Sequence, residues 1–585
     1  MIERISRNDL FNVRTGWWYV AICVCLITLP FLGLTDFNTK GEPREAVVAY
    51  SILSQGDWIL PSNNGGEIPY KPPFFHWVIA LCSLLTGGEV TEYTSRLPSA
   101  LALIGMTLGV YAFLARRVCL GRAMVTAMTL FTAFEIYRAG MNCRVDMMLT
   151  ALSVGAMLLL YRWWERGMRG LPWWAILLMS CATLTKGPVG IIIPCLTSGC
   201  FMLFRGMPFL RVFLKLAASG LLALVLPLCW YAAAYGRGGE EFLNLVMEEN
   251  FGRMTGTMTY ESHVNPWWYN IVTLLAGFLP WTIAALVALF LIRRRKDEGD
   301  ATPRSWRDNV SAFFRTKNPV MLFSATCAVI VFFFYCIPAS KRSVYLMPMY
   351  PFTAYFVAEL LIWMSRRKRG SVLGLGDAFG VLGILLFGVF CLVKCGAMPE
   401  GLFGHGRHAA ANAAMVESLA SQSGAAAWIC ALVPVCAAAV WWGAVRRRVQ
   451  RSQTAVAAAT LLCALYIAFS GTYQPGLLNA KSQHPLAREI MSRYPDAGTG
   501  IYEFIAMAEE AKGNPVHFFE LDFYMGDPVR NFLREQPEAG YLLIEPTDTA
   551  EWLPQFGKRG YRFQLLREPG AAEAKHTPSL YRFSR

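Results

Sequence analysis

Apolar runs near the roughly 20 residues that a helix needs to cross a bilayer recur along the chain, separated by short polar loops. About thirteen are read, at 17–34, 98–114, 123–137, 147–161, 173–184, 189–204, 212–234, 268–292, 320–337, 345–363, 372–393, 426–440 and 454–469. They predict an all-α polytopic membrane protein. After residue 472 the pattern changes to short runs at 500–504, 516–521, 540–544, 561–566 and 580–583, alternating with helical stretches at 485–493 and 528–534. That alternation predicts a small soluble α/β domain over 473–585, following a membrane domain over 1–472.

Composition agrees, since 55% of the 585 residues are hydrophobic and only 16% charged. The loops after even-numbered spans carry arginine clusters at 115–117, 162–169, 205–215, 293–296, 366–369 and 446–451. The positive-inside rule makes these cytoplasmic, which puts the amino terminus inside and the C-terminal domain on the periplasmic side of an inner membrane. The net charge of +14 is then largely an orientation signal, and nucleic acid is not expected as a partner. Arg4, Arg7 and Arg14 precede the first run with no small-residue cleavage site after Leu34, so a retained start-transfer helix is expected. Nearly all sixteen cysteines lie inside spans and none follows Cys463, so neither a zinc knuckle nor a disulfide framework is read.

The loops on the other side carry the candidate chemistry. The first runs over 35–96, where Pro43 is placed to open a helix whose apolar face is Ala46, Ala49, Tyr50 and Leu53, a short element expected on the membrane surface. Arg44, Lys71, Arg138, Arg144, Lys186, Arg253, Lys341 and Arg342 are cations on the side where the orientation rule expects few. Beside apolar span ends they need a counter-charge. Glu42, Glu45, Asp146, Glu248, Glu249 and Glu261 neutralise some, and a bound phosphate would neutralise the rest. Each residue taken alone reads equally well as a structural ion pair or a snorkelling side chain. The set predicts a phosphate-binding cavity.

Several segments in order resemble the integral-membrane GT-C glycosyltransferases. They are Glu42-Pro43-Arg44-Glu45-Ala46, Ser54 to Pro61, Tyr70-Lys71-Pro72-Pro73, Arg96-Leu97-Pro98, Leu184-Thr185-Lys186-Gly187, His263 to Trp268 and Ser340-Lys341-Arg342 to Tyr345. The relatives they point to are the bacterial lipid A aminoarabinose transferases and the protein O-mannosyltransferases. The resemblance implies a GT-C fold with interfacial helices in the first external loop 35–96, a polyisoprenyl (undecaprenyl) phosphate-linked sugar as donor, and transfer at the periplasmic face to an envelope acceptor, lipid A, another glycolipid or a protein. It implies donor-phosphate contacts from Arg44, Lys71, Arg138, Arg144, Lys186, Lys341 and Arg342, and a gate or substrate contact from Tyr345.

This chain departs from the family at two points. Where the family has Asp followed by Glu, it has Gly41 and Glu42, which makes Glu42 and Asp146 the candidate catalytic carboxylates, with Asp36 as a substitute. Where the aminoarabinose transferases place a zinc-binding Glu before the lysine, it has Tyr70, leaving His263 with Glu261 two positions away. One imidazole is a poor metal site, so no cofactor is required and zinc stands only as a candidate. A lipid-linked sugar transporter or flippase shares the many spans, but internal repeats and mid-helix charges are not found. A catalytically silent relative would account for the missing Asp.

Overall fold

The computed structural model describes residues 12–69, 71–249, 264–297, 318–399, 409–451, 453–505, 517–570, 573 and 576–585. The N-terminal half is built from α1 (Val13–Thr28), α2 (Gly41–Gln55), α3 (Phe74–Leu85), α4 (Glu92–Ala115), α5 (Leu120–Phe131), α6 (Phe134–Gly140), α7 (Val145–Glu165), α8 (Trp173–Lys186), α9 (Val189–Phe204) and α10 (Phe209–Met247). Further apolar helices follow to Ala468. Among the described residues nine helices are long and apolar enough to cross a bilayer, and a bent pair, Tyr269–Gly277 with Trp281–Arg293, is a tenth if it forms one broken span rather than a re-entrant loop.

Thirteen spans are therefore not all present at spanning length. The runs at 123–137, 173–184 and 189–204 form α5, α8 and α9, of 12, 14 and 16 residues. At 1.5 Å per residue these reach about 18–24 Å, short of the ~30 Å apolar core. The run at 268–292 bends by 100°, between Gly277 and Trp281. Pro280 stands in that break, where it can supply no backbone donor to a continuing helix. α4 starts earlier than the expected 98, because Thr91 and Thr94 form a capping box ahead of it.

α2 differs from the expected surface helix. It begins at Gly41, so Pro43 is its third residue, and Glu42, Ala46, Val47, Val48, Ala49 and Ile52 are all buried. One neighbour is α3, a second helix in the stretch 35–96, and the other is a helix of the C-terminal domain at Phe519–Met525. Phe37 stacks edge-on against Phe523 at 4.9 Å in the same seam. On the far side of the molecule an aromatic cluster ties α7, α9 and the helix Pro319–Cys336 together, with Tyr161–Phe201 at 5.3 Å and Phe201–Phe323 at 5.1 Å. That packing fixes the C-terminal ends of α7 and α9, opposite Asp146 and Gly187, relative to each other.

The C-terminal domain is a five-stranded sheet in the order β2-β1-β3-β5-β4, with β1 (Ile501–Glu503), β2 (Arg530–Asn531), β3 (Ala539–Ile544), β4 (Arg562–Arg567) and β5 (Ser579–Ser584). β2, β1 and β3 run parallel, and β5 and β4 are antiparallel. Four of the five expected runs are strands. The fifth, 516–521, enters a helix instead, with Phe518, Leu521 and Met525 buried at helical spacing, and the stretch 528–534 supplies β2 and the first residues of a helical turn.

Candidate active site

Two ion-paired clusters stand at one end of the helix bundle. The first is built by α2 and α3. Glu45, one turn into α2, is 2% exposed and acts as a hub. Its Oε1 accepts from Lys71 Nζ and, at 3.0 Å, from Arg44 Nη2, while its Oε2 stands 2.9 Å from His76 Nε2. Lys71 is delivered by the segment leading into α3, where Pro72 and Pro73 fix the backbone before the helix begins. Burial alone would push the Glu45 carboxyl up, but Lys71, Arg44 and His76 hold it well below the usual carboxylate range. Burial, with Arg44 and Arg144 adding repulsion, pulls the Lys71 ammonium down to about 7 against the attraction of Glu45.

The second cluster joins α7 to α8. Asp146, in the first turn of α7, accepts from Lys186 Nζ at the end of α8, with Arg144 and Lys71 also close. Gly187 follows at φ 86°, ψ −160°, a conformation open to glycine, and reverses the chain into α9. Lys186 Nζ lies 4.5 Å from the centre of the Tyr345 ring, and Tyr345 packs on Tyr335 at 5.5 Å.

Between the clusters opens a cavity of about 690 Å³. Lys71, Lys186 and Tyr345 line its polar end, and Ile192, Leu224, Pro227, Leu228 and Leu243 its walls, so the void runs from two ammonium groups into the apolar surfaces of α9 and α10. The upper rim is held by the Asp57 turn. Asp57 Oδ1 accepts from the amides of Ile59 and Leu60 at 2.9 and 3.0 Å and pairs with Arg237 of α10. Trp77 and Trp230 donate their indole N–H groups to the carbonyls of Trp58 and Ile59 at 2.7 and 2.8 Å.

Glu42 is placed differently from its expected role. It is 4% exposed, with Arg96 Nε on Oε1 at 2.8 Å, Arg96 Nη2 on Oε2 at 3.2 Å, and the Cys143 amide on Oε1 at 2.9 Å. A carboxylate so engaged, with both oxygens already accepting and Arg96 as its buried counter-charge, braces α2 against α4 and the residues leading into α7. Asp36 pairs with His484 at 3.4 Å in the seam with the C-terminal domain.

Arg144 stands against Gly41, where a Cβ would lie 1.9 Å from its Nη1. Arg138 pairs with Glu135 at 2.8 Å, Lys341 donates to the carbonyl of Pro338 at 2.7 Å, and neither they nor Arg342 line the cavity. Tyr70, Arg253, Glu261 and His263 lie outside the described residues, so the candidate zinc ligand has no geometry here. Sequence reasoning counted Glu45 only as a neutralising charge and missed His76 and the Arg96 partnership. A histidine three residues past a double proline, in an otherwise apolar helix, was the available signal for His76.

The helix order, the charged clusters gathered at one end of the bundle and the appended sheet define the GT-C fold of integral-membrane glycosyltransferases. The chain superposes on the crystal structure of ArnT from Cupriavidus metallidurans bound to undecaprenyl phosphate with a TM-score of 0.68 at 18% identity, covering 97% of this chain and 98% of that one. Residues 70–231 match the family model for dolichyl-phosphate-mannose-protein mannosyltransferases. An uncharacterized protein of Aquifex aeolicus is 26% identical over 60% of this chain. The undecaprenyl phosphate-alpha-4-amino-4-deoxy-L-arabinose arabinosyl transferase of Shewanella sediminis is 23% identical over 64% of it. In both cases the match spans 65% of the relative's own length. The enzyme of the same name from Serratia proteamaculans is 24% identical over 93% of this chain and 92% of its own. The chain is a multi-pass integral membrane protein that resembles the aminoarabinose transferases and the O-mannosyltransferase family.

Proposed function

We propose that this protein is a glycosyltransferase that moves a sugar from a polyisoprenyl phosphate, of the undecaprenyl kind, to an envelope acceptor, most simply lipid A or another glycolipid. The observation that carries the reading is the cavity with Lys71 and Lys186 at one end and α9 and α10 as its apolar walls. A phosphate on a long hydrocarbon is the ligand whose charge and tail both match that division. In the reaction the acceptor oxygen forms a bond to the anomeric carbon as the bond from that carbon to the donor phosphate oxygen breaks. Polyisoprenyl phosphate departs with the electron pair, and Lys71 and Lys186 stabilise the charge that develops on it. Where the acceptor is a hydroxyl, a carboxylate takes its proton; Asp146, whose partner Lys186 lines the cavity, is the candidate for that role beside Glu249, which lines it directly, whereas Glu42 is committed to Arg96. The orientation signal in the arginine loops supports a cytoplasmic membrane location with the site and C-terminal domain outside.

The test compares envelope glycolipids by mass spectrometry in wild-type cells, deletion cells, and deletion cells carrying Lys71→Ala. A glycan mass lost on deletion and restored by the wild-type gene but not by Lys71→Ala supports transfer through this cavity. Identical glycolipid and glycoprotein profiles in all strains would overturn it.

A further inference from the structure

The external sheet domain grips the segment that delivers Lys71 through one buried carboxylate. Glu503, the last residue of β1, is 1% exposed. Its Oε1 accepts from Asn64 Nδ2 at 2.5 Å and lies 2.9 Å from His517 Nδ1, and its Oε2 accepts from the Phe518 amide at 3.0 Å. Asn64 is wholly buried and begins the turn Asn64–Gly66, closed by the Asn63 amide on the Glu67 carbonyl at 2.7 Å. The same turn abuts β2, since a Cβ on Gly65 would lie 3.1 Å from the Asn531 nitrogen. His517 also stands 3.8 Å from Glu67. Lys71 lies four residues beyond Glu67, so the segment between them is anchored at one end by Glu503 and at the other by the Lys71–Glu45 pair.

We propose that Glu503 is a positioning residue for donor binding: by fixing the turn at 63–67, the C-terminal domain sets how far Lys71 reaches into the cavity. The proposal rests on the lipid-phosphate reading of that cavity. Glu503 does not line the cavity, so its effect passes through the segment it holds.

Full-length protein in detergent, as wild type, Glu503→Ala, Asn64→Ala and Lys71→Ala, is compared for amide hydrogen exchange and for binding of undecaprenyl phosphate. Asn64→Ala removes the same bond from the loop side and leaves the sheet's own contacts with Glu503 intact, so it reports even where Glu503→Ala disturbs its domain. The expected result is faster exchange across 63–69 in both variants, wild-type exchange in α4 and α7, and affinity lower by about ten- to a hundredfold, the range for losing one hydrogen bond to a charged group. Unchanged exchange at 63–69 in both variants overturns the proposal. So does faster exchange with wild-type affinity while Lys71→Ala loses binding, an outcome that leaves the cavity reading standing. Wild-type binding by Lys71→Ala instead refutes the cavity reading, and the proposal falls with it.

Discussion

Lys71 carries a proton whose fate reports on the donor phosphate. Burial, and then Arg44 and Arg144, bring its ammonium to about 7, from 10.5 for an unperturbed lysine, although Glu45 pulls the other way. A phosphate arriving beside it favours the charged form, so above that value binding takes up a proton. Affinity should therefore fall by up to about tenfold per pH unit above neutrality, or roughly a hundredfold by about pH 9. Folding responds with the opposite sign. Between about 7 and 10.5 the unfolded lysine holds more protons than the folded one, so this residue makes the protein more stable as pH rises through that window. Weaker binding at alkaline pH is then not unfolding driven by Lys71. The lipid phosphate's own second ionisation lies near 6, below the window that isolates the lysine. Lys71→Ala should bind more weakly by about 1.5–3 kcal/mol, roughly 10- to 150-fold, and should lose the slope. Titration calorimetry with undecaprenyl phosphate, run across this range in buffers of different ionisation heat, measures both affinity and proton uptake. A pH-independent wild-type affinity would refute the reasoning, and a wild-type slope retained in Lys71→Ala would assign the proton to another group.

Three further outcomes follow from the same geometry. Glu42→Gln leaves Arg96 buried without its counter-charge and should lower stability by about 3–5 kcal/mol, read as a large drop in detergent thermal unfolding. Unchanged unfolding with lost turnover would return Glu42 to the role of base. Gly41→Ala should bind undecaprenyl phosphate more weakly, because the new Cβ displaces Arg144. Equal affinity in that variant would remove Arg144 from the phosphate site. Reporter fusions after Arg447 and after Arg493 should read cytoplasmic and external respectively, and the reverse pattern would invert the orientation on which the site assignment depends.

The spans were legible because a bilayer-length apolar run needs no partner to declare itself, as in α4, α7 and α10. Span length was less legible. The run at 123–137 crosses the break at Thr132 between α5 and α6, and hydropathy averages across such a point, whereas the run at 189–204 has the bounds of α9 and is simply short. The burial of α2 was hidden for a different reason. Its apolar residues suit a membrane surface and a protein interface equally, and the element that covers it, Phe519–Met525, lies more than four hundred residues away in a stretch that reads as a strand. Charges could be enumerated but not paired. Glu45 finds Lys71 and His76 at separations of 26 and 31 residues, and Glu42 finds Arg96 at 54.

Pairing decides what the cavity can hold. With Glu42 and Arg96 neutralising one another in the frame, the charged groups on and just behind the cavity wall are Arg44, Lys71, Arg144 and Lys186 against Glu45, Asp146 and Glu249, an excess of one cation over carboxylates. Had the family's Asp stood at Gly41, it would have met Arg144 and cancelled that excess. The substitution to glycine therefore raises the positive potential where a phosphate would sit and removes a carboxylate from the proton-accepting groups. Both changes favour an acceptor that arrives already ionised over one that must be deprotonated.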